Sequence, residues 1–227
     1  MGKAIGDYNL IADKDRILIA VSGGKDSLTL LKLLMERKKW SPAHYELYAA
    51  HIETDFYCSS CVHKGTLEKI FKEIGIEYVF RKITVLDKEK KTNCFWCSWN
   101  RRKTLFEIAR DFGCNKVALG HHKDDIAETT LLNLLFKGEF STMNPRQELF
   151  GGKIVIIRPL CYVEEEEVRK FAKENNFPSK LCKCPFFQES SRKYIKGLIK
   201  KMEKSYPGTK TNIFKSIRRI KREYLNL

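Results

Sequence analysis

Apolar residues along this chain fall into two alternating rhythms. Residues 16–21 (RILIAV) form a short, continuous apolar run that ends at a glycine turn, the pattern of a strand buried on both faces. The next stretch, 27–39, carries Leu28, Leu31, Leu34 and Met35 at helical spacing. Residues 45–51 read as a second strand. Residues 65–74 read as a helix with Leu67, Ile70, Phe71 and Ile74 on one side and a stop at Gly75, and 77–83 as a third strand. The alternation continues with a helix at 98–112 stopped by Gly113, a strand at 116–119, a helix at 125–136 and a strand at 154–157 closed by Arg158-Pro159. A helix at 163–175 begins with glutamates, as its macrodipole prefers.

Strands alternating with helices predict an α/β fold with a doubly wound parallel sheet. After Pro178 no strand pattern recurs, and 190–205 and 212–224 read as two basic helices parted by Pro207-Gly208. The expected organisation is a sheet domain over 1–178 and a C-terminal basic helical extension over 179–227, packed on it. With 227 residues, 43% of them hydrophobic, the chain can bury a sizeable core.

Charge adds a partner. The net charge is +15, and residues 180–227 hold 14 lysines and arginines against three glutamates, +11 of that total. A basic excess gathered in one segment points to a polyanion, because lysine and arginine release condensed counterions from phosphates. No run of about 18 apolar residues is present and residues 1–15 have no signal-like apolar region, so no membrane partner and a cytoplasmic location are expected.

The first strand runs directly into Ser22-Gly23-Gly24-Lys25-Asp26-Ser27 and then a helix. Glycines let backbone N–H groups approach phosphate, the helix N-terminus adds partial positive charge, and serine hydroxyls donate hydrogen bonds. The spacing is not that of GxxxxGK[ST]. SGGKDS after an apolar strand resembles the PP-loop ATP-pyrophosphatases. That likeness implies that the loop cradles the pyrophosphate of ATP while a substrate oxygen is adenylated. Leu119-Gly120-His121-His122-Lys123-Asp124-Asp125 followed by Glu128-Thr129 resembles the family's RNA-modifying members, and it falls where open α/β sheets bind ligands. The nucleotide set implied is the loop together with His51, Gly120 and His121. Lys25, Asp26 and Asp125 are the catalytic candidates, with Mg²⁺ accompanying ATP.

Eight cysteines in a reducing compartment favour metal or redox chemistry. Cys114 and Cys161 sit beside apolar runs and read as small buried hydrophobes. Cys94-Phe95-Trp96-Cys97 opens a helix followed by Arg101 and Arg102, a setting that lowers thiol pKa values. From the residues alone, Cys94 and Cys97 could complete either a four-cysteine zinc site or a three-cysteine 4Fe-4S cluster with one open iron.

CxxC followed by Arg-Arg, LGHHKDD…ET, NLLFKG, Ile-Arg-Pro-Leu and a late cysteine resemble the TtcA branch of tRNA thiolation enzymes over residues 16–220. The likeness implies a 4Fe-4S cluster on Cys94, Cys97 and Cys184, with Cys182 as the other late candidate. It also implies a tRNA substrate, a sulfur donor such as sulfide or a cysteine desulfurase, and possible homodimers. Arg101, Arg102, Arg218, Arg219, Lys221 and Arg222 are the RNA-binding candidates. The chain departs from the branch at Cys58-Ser59-Ser60-Cys61, readable as a second metal site with His63, a sulfur-relay pair or a structural thiol pair. Two other readings compete: a PP-loop ligase or amidotransferase of lysidine or GMP-synthase type, and a non-catalytic iron-sulfur RNA-binding protein.

Overall fold

The computed structural model describes residues 1–55, 64–89, 91–178 and 191–224. Within them the chain order is α1 (Gly2–Asp7), β1 (Arg16–Ala20), α2 (Lys25–Lys38), β2 (Glu46–Thr54), α3 (Lys64–Ile74), β3 (Glu77–Ile83), α4 (Cys94–Asp111), β4 (Lys116–Ala118) and α5 (Lys123–Lys137). It continues with β5 (Arg146–Leu149), β6 (Ile154–Ile157), α6 (Glu165–Glu174), α7 (Ser191–Ser205) and α8 (Thr209–Ser216), and a 3₁₀ turn at Arg222–Tyr224. The strands form one sheet in the order β3-β2-β1-β4-β6-β5. All pairings are parallel except β5 with β6.

Alternation along β1 and β2 divides the core between the two sheet faces. Ile17, Ile19, Leu47 and Ala49 face a large cluster built with α2 and α3. Leu18, Tyr48 and Ala50 face a smaller one with Ile108 and Ala109 of α4. Burial on both faces is what continuous apolar strands require. Chain order reverses between β1 and β4, so the loops leaving these two strands meet at the crevice where open α/β sheets take ligands.

The C-terminal helices complete this body. Ala127 of α5 packs with Ile195 and Ile199 of α7, and Phe214 of α8 joins the main cluster, its ring edge-on to Tyr162 at 5.6 Å. A buried Lys116–Asp15 pair (2.5 Å) ties β4 to the segment before β1, with Lys116 Nζ also donating to the Leu10 carbonyl.

Three details differ from the expectations. The helix expected at 98–112 begins at Cys94, because Asn93 caps it by accepting from the Trp96 N–H at 2.8 Å. The helix expected over 212–224 spans Thr209–Ser216, and the described residues after it include a 3₁₀ turn at Arg222–Tyr224. Helix α1 and strand β5 have no counterpart in the sequence pattern.

Candidate active site

The turn after β1 is held by its own serines. Ser27 Oγ donates to the Gly24 carbonyl (2.9 Å) and accepts from the Ser22 N–H (3.1 Å), while Ser22 Oγ accepts from the Gly24 N–H (3.3 Å). Gly23 has φ +86°, a left-handed conformation that admits glycine without a Cβ penalty. Helix α2 starts at Lys25 with Gly24 as N-cap and no side-chain cap. Its first N–H groups therefore stay available to an anion.

The segment after β4 lies directly against this turn. A Cβ built on Gly120 would stand 2.9 Å from the Asp26 carbonyl carbon and oxygen and 3.0 Å from the Ser27 nitrogen. Only glycine permits that approach. His51, within β2, lies against the residue that precedes the turn, its Nδ1 2.7 Å from the Val21 carbonyl. Burial lowers its pKa against the raising effect of that bond, so the ring is neutral.

Helix α5 begins differently. His122 is its N-cap in a reciprocal box: His122 Nδ1 accepts from the Asp125 N–H (3.3 Å) and Asp125 Oδ2 accepts from the His122 N–H (3.0 Å). The α5 terminus is thus closed where the α2 terminus is open. His121 is pushed down to about 4, chiefly by burial. Asp125 opposes the shift, and Arg158 and Arg192 reinforce it. Arg158 Nε lies 3.3 Å from His121 Nδ1, which fits a neutral ring accepting from a guanidinium.

Carboxylates line the crevice, and cations from distant parts of the chain meet them. Lys25 bridges Asp26 (2.8 Å) and Glu165 (3.4 Å). Burial lowers its pKa, but these partners outweigh it and keep the ammonium charged. Glu165 sits at about 2: burial raises it, but Lys196 (2.6 Å) and Lys25 overcome that. Asp124 pairs with Lys210 of α8 (2.7 Å) and accepts from the Glu165 N–H. Arg192 of α7 reaches both Asp125 and Glu128 at 3.1 Å. The basic helices thus set cations against the carboxylates of α5 and α6 beside the turn. Arg158 lies in the Ile-Arg-Pro-Leu stretch but is not among the residues expected at the site, and Glu165, Arg192 and Lys210 are site residues that no motif in the sequence singles out.

The cysteine pair occupies the first turn of α4, with Cys94 exposed and Cys97 half-buried. At i and i+3 the two side chains share one helix face, and both sulfurs lie at the positive end of the helix dipole. That donor set suits an iron-sulfur cluster or zinc but needs further ligands. Cys184 and Cys182, like Cys58, Cys61 and His63, lie outside the described residues, and no group of three metal-ligating side chains occurs among the described ones. On the same helix Arg102 is exposed, and the buried Arg101 Nε has no hydrogen-bond partner among the described residues. Arg101 contributes to the electrostatics at His51, and Arg102 to those at Arg158. Arg218, Arg219, Lys221 and Arg222 lie beyond α8, the Arg218 guanidinium 4.9 Å over the Tyr8 ring and the other three exposed. Cys114 and Cys161 are buried, which raises their thiols to about 11 and about 12.

An open helix N-terminus after a glycine-serine turn, placed at the switch point of a mostly parallel sheet, makes an anion site of the kind α/β enzymes use for a nucleotide's phosphates. Residues 3–179 match the family model described as a PP-loop domain. The tRNA-cytidine(32) 2-sulfurtransferase of Geobacter metallireducens is 38% identical over 99% of this chain and 90% of its own length. The protein of that name from Janthinobacterium is 37% identical over 96% and 70%. Among solved structures, the U34-tRNA thiolase NcsA of Methanococcus maripaludis, with its [4Fe-4S] cluster, superposes with a TM-score of 0.77 at 25% identity, covering 99% of this chain and 78% of that one. The chain belongs to the PP-loop family, in its tRNA sulfurtransferase branch. No described helix is long and apolar enough to cross a membrane.

Proposed function

We infer that this protein is an ATP-dependent tRNA sulfurtransferase that converts a cytidine to 2-thiocytidine. The observation that carries the reading is one chain joining the open α2 terminus, with Gly120 packed against it, to a cysteine pair at the head of α4, in a relationship to the cytidine sulfurtransferases that spans nearly the whole chain.

The β- and γ-phosphates sit on the amides at the start of α2, with Ser22, Ser27 and Lys25 supplying donors and charge. Mg²⁺ enters with the ATP phosphates, and Asp26 is the loop carboxylate facing them. His51, Gly120 and His121 form the floor on which the nucleotide lies. The O2 carbonyl oxygen of the pyrimidine attacks the α-phosphorus and pyrophosphate leaves. A sulfur nucleophile then adds at the activated carbon, and AMP departs with the original oxygen. Adenylation is what makes that oxygen a leaving group, and holding both reactants in one crevice makes each attack effectively unimolecular. Asp125, fixed between His122 and Arg192, positions the α5 terminus and the Arg192 guanidinium beside the site.

Cys94 and Cys97, with Cys184, are the proposed ligands of a 4Fe-4S cluster, which when bound would present sulfide from its open iron. The supply of that sulfur, by sulfide or a desulfurase, and a homodimeric state belong to the same proposal, as do the phosphate contacts of Arg101, Arg102, Arg218, Arg219, Lys221 and Arg222. The domain boundary at 178/179 is retained in it, as the end of the ATP-binding unit. The test is release of AMP and pyrophosphate from ATP upon addition of unmodified tRNA, lost in Lys25→Ala and Asp26→Ala proteins. Hydrolysis to ADP, or unchanged turnover in these variants, would overturn the reading.

A further inference from the structure

Trp96 lies between the two cysteines and Trp99 two residues after Cys97, on the same turns of α4, and neither is buried. Their rings are stacked nearly parallel, 9° apart with centroids at 5.6 Å. They keep 47% and 46% of their surface open, and neighbouring Phe95 is 76% exposed. Lys103 continues the column, its ammonium 5.7 Å over the Trp99 ring. Arg102 beside it is exposed. A helix gains nothing by holding three large aromatic side chains in water, so the face is built to be covered.

We propose that the Trp96–Trp99 column is a stacking platform for an unpaired nucleobase of the tRNA substrate, holding the RNA strand beside the sulfur-transfer cysteines. The inference rests on the functional reading above. Charge and ring geometry select this occupant. Indole faces offset in a column accept any planar base, and single-stranded nucleic acids are bound by such aromatic platforms set among lysines and arginines. Arg102 and Lys103 lie on the same turns, exposed, and match the phosphates flanking a stacked base. A protein partner fits less well, because lysine is depleted at the cores of protein interfaces and here Lys103 sits on the ring itself. Because Cys94 and Cys97 occupy the turn that carries Trp96, a base held on the column brings its strand to the sulfur site.

The experiment uses tryptophan fluorescence of the full chain. Of three tryptophans, Trp40 lies just past α2 against Arg37, so a Trp40→Phe parent reports the pair alone. Unmodified tRNA should quench that emission. Trp96→Ala and Trp99→Ala should each weaken tRNA binding by about 5- to 150-fold, the range for removal of one stacked base, while Trp96→Phe and Trp99→Phe retain most of the affinity. The slope of log affinity against log salt should stay unchanged, because every cation that meets a phosphate is still present. Alanine variants that bind within about twofold of a parent that binds and thiolates tRNA would overturn the platform and leave the functional reading standing, since such a change is far below the value of a stacked base. Weaker binding accompanied by a changed oligomeric state in sedimentation would also overturn it, making the face a protein interface. A parent that binds no tRNA would overturn both.

Discussion

Gly120 stands so close to Asp26 that a single added carbon would overlap the Asp26 carbonyl at 2.9 Å. The two segments that meet there follow separate strands, β1 and β4, and their contact packs the chain before α5 against the first turn of α2.

Gly120→Ala should therefore wedge the crevice open. Its backbone φ is not in the left-handed region, so the effect is steric. Overpacking of this kind costs about 1–3 kcal/mol of stability, visible as a lower urea midpoint, and ATP affinity should fall in parallel. An alanine variant with the affinity and midpoint of the parent would show that the two segments can part freely.

Acid should weaken the fold through His121. The unfolded chain binds a proton at the ordinary histidine value of 6.5, whereas the folded protein resists it until about 4. Between these values the unfolded state holds more protons, so stability is full above about 6.5 and is lost as pH falls towards 4. His51, lowered by burial, acts in the same direction. Glu165 follows at lower pH, between 4.5 and about 2. His121→Asn should flatten urea midpoints between pH 6.5 and about 4 without altering the decline below that range. A parent-like slope would contradict the burial argument.

Much of this was legible in the chain itself, and what was not has physical causes. Strands β1 and β6 declare themselves because Ile17–Ile19 and Ile154–Ile157 are buried on both faces and so are apolar throughout, whereas β3, at the sheet edge, shows only through Tyr78, Val79 and Phe80. Strand β5 is invisible because Arg146, Gln147 and Glu148 are exposed at a sheet edge, where pairing with β6 is a backbone matter and the side chains need no pattern. Expected helix 212–224 stops at Ser216 although Ile213, Ile217, Ile220 and Tyr224 recur at helical spacing, because Ile220 and Tyr224 find no surface among the described residues to bury them. The turn could be found from its strand–glycine–helix order, and the GHHKDD segment from its resemblance to the family. Arg192 and Lys210 could not, since the carboxylates they meet belong to α5, 67 residues earlier in the case of Arg192 and Asp125, and only folding joins them.

The cysteines should divide into two classes. Cys94→Ser, Cys97→Ser and Cys184→Ser should each lose most bound iron and all thiolation, whereas Cys114→Ser and Cys161→Ser keep iron near the parent level. With thiols raised to about 11 and about 12, Cys114 and Cys161 should resist iodoacetamide at about pH 8, near the ordinary thiol range, until the protein is denatured. Their modification in the folded state, or a drop in iron in the Cys114 or Cys161 variants, would contradict the assignment. Iron absent from Cys182→Ser and kept in Cys184→Ser would move the third ligand by two residues.

The basic tail should act through phosphates. Replacing Arg218, Arg219, Lys221 and Arg222 with Gln should weaken tRNA binding and flatten its salt dependence, by about 0.7–0.9 in log–log slope for each phosphate left without its cation. Iron content and ATP binding should not change. An unaltered slope would place the RNA-binding surface elsewhere on the molecule.

The central claim is that one crevice activates a tRNA base with ATP and delivers sulfur to it. The most direct measurement is nucleoside mass spectrometry of unmodified tRNA incubated anaerobically with the iron-loaded protein, ATP, Mg²⁺ and sulfide. The account expects 2-thiocytidine to appear in proportion to the AMP released, and neither product with Lys25→Ala protein. AMP and pyrophosphate formed without any thionucleoside, or a nitrogen-containing product in its place, would contradict it.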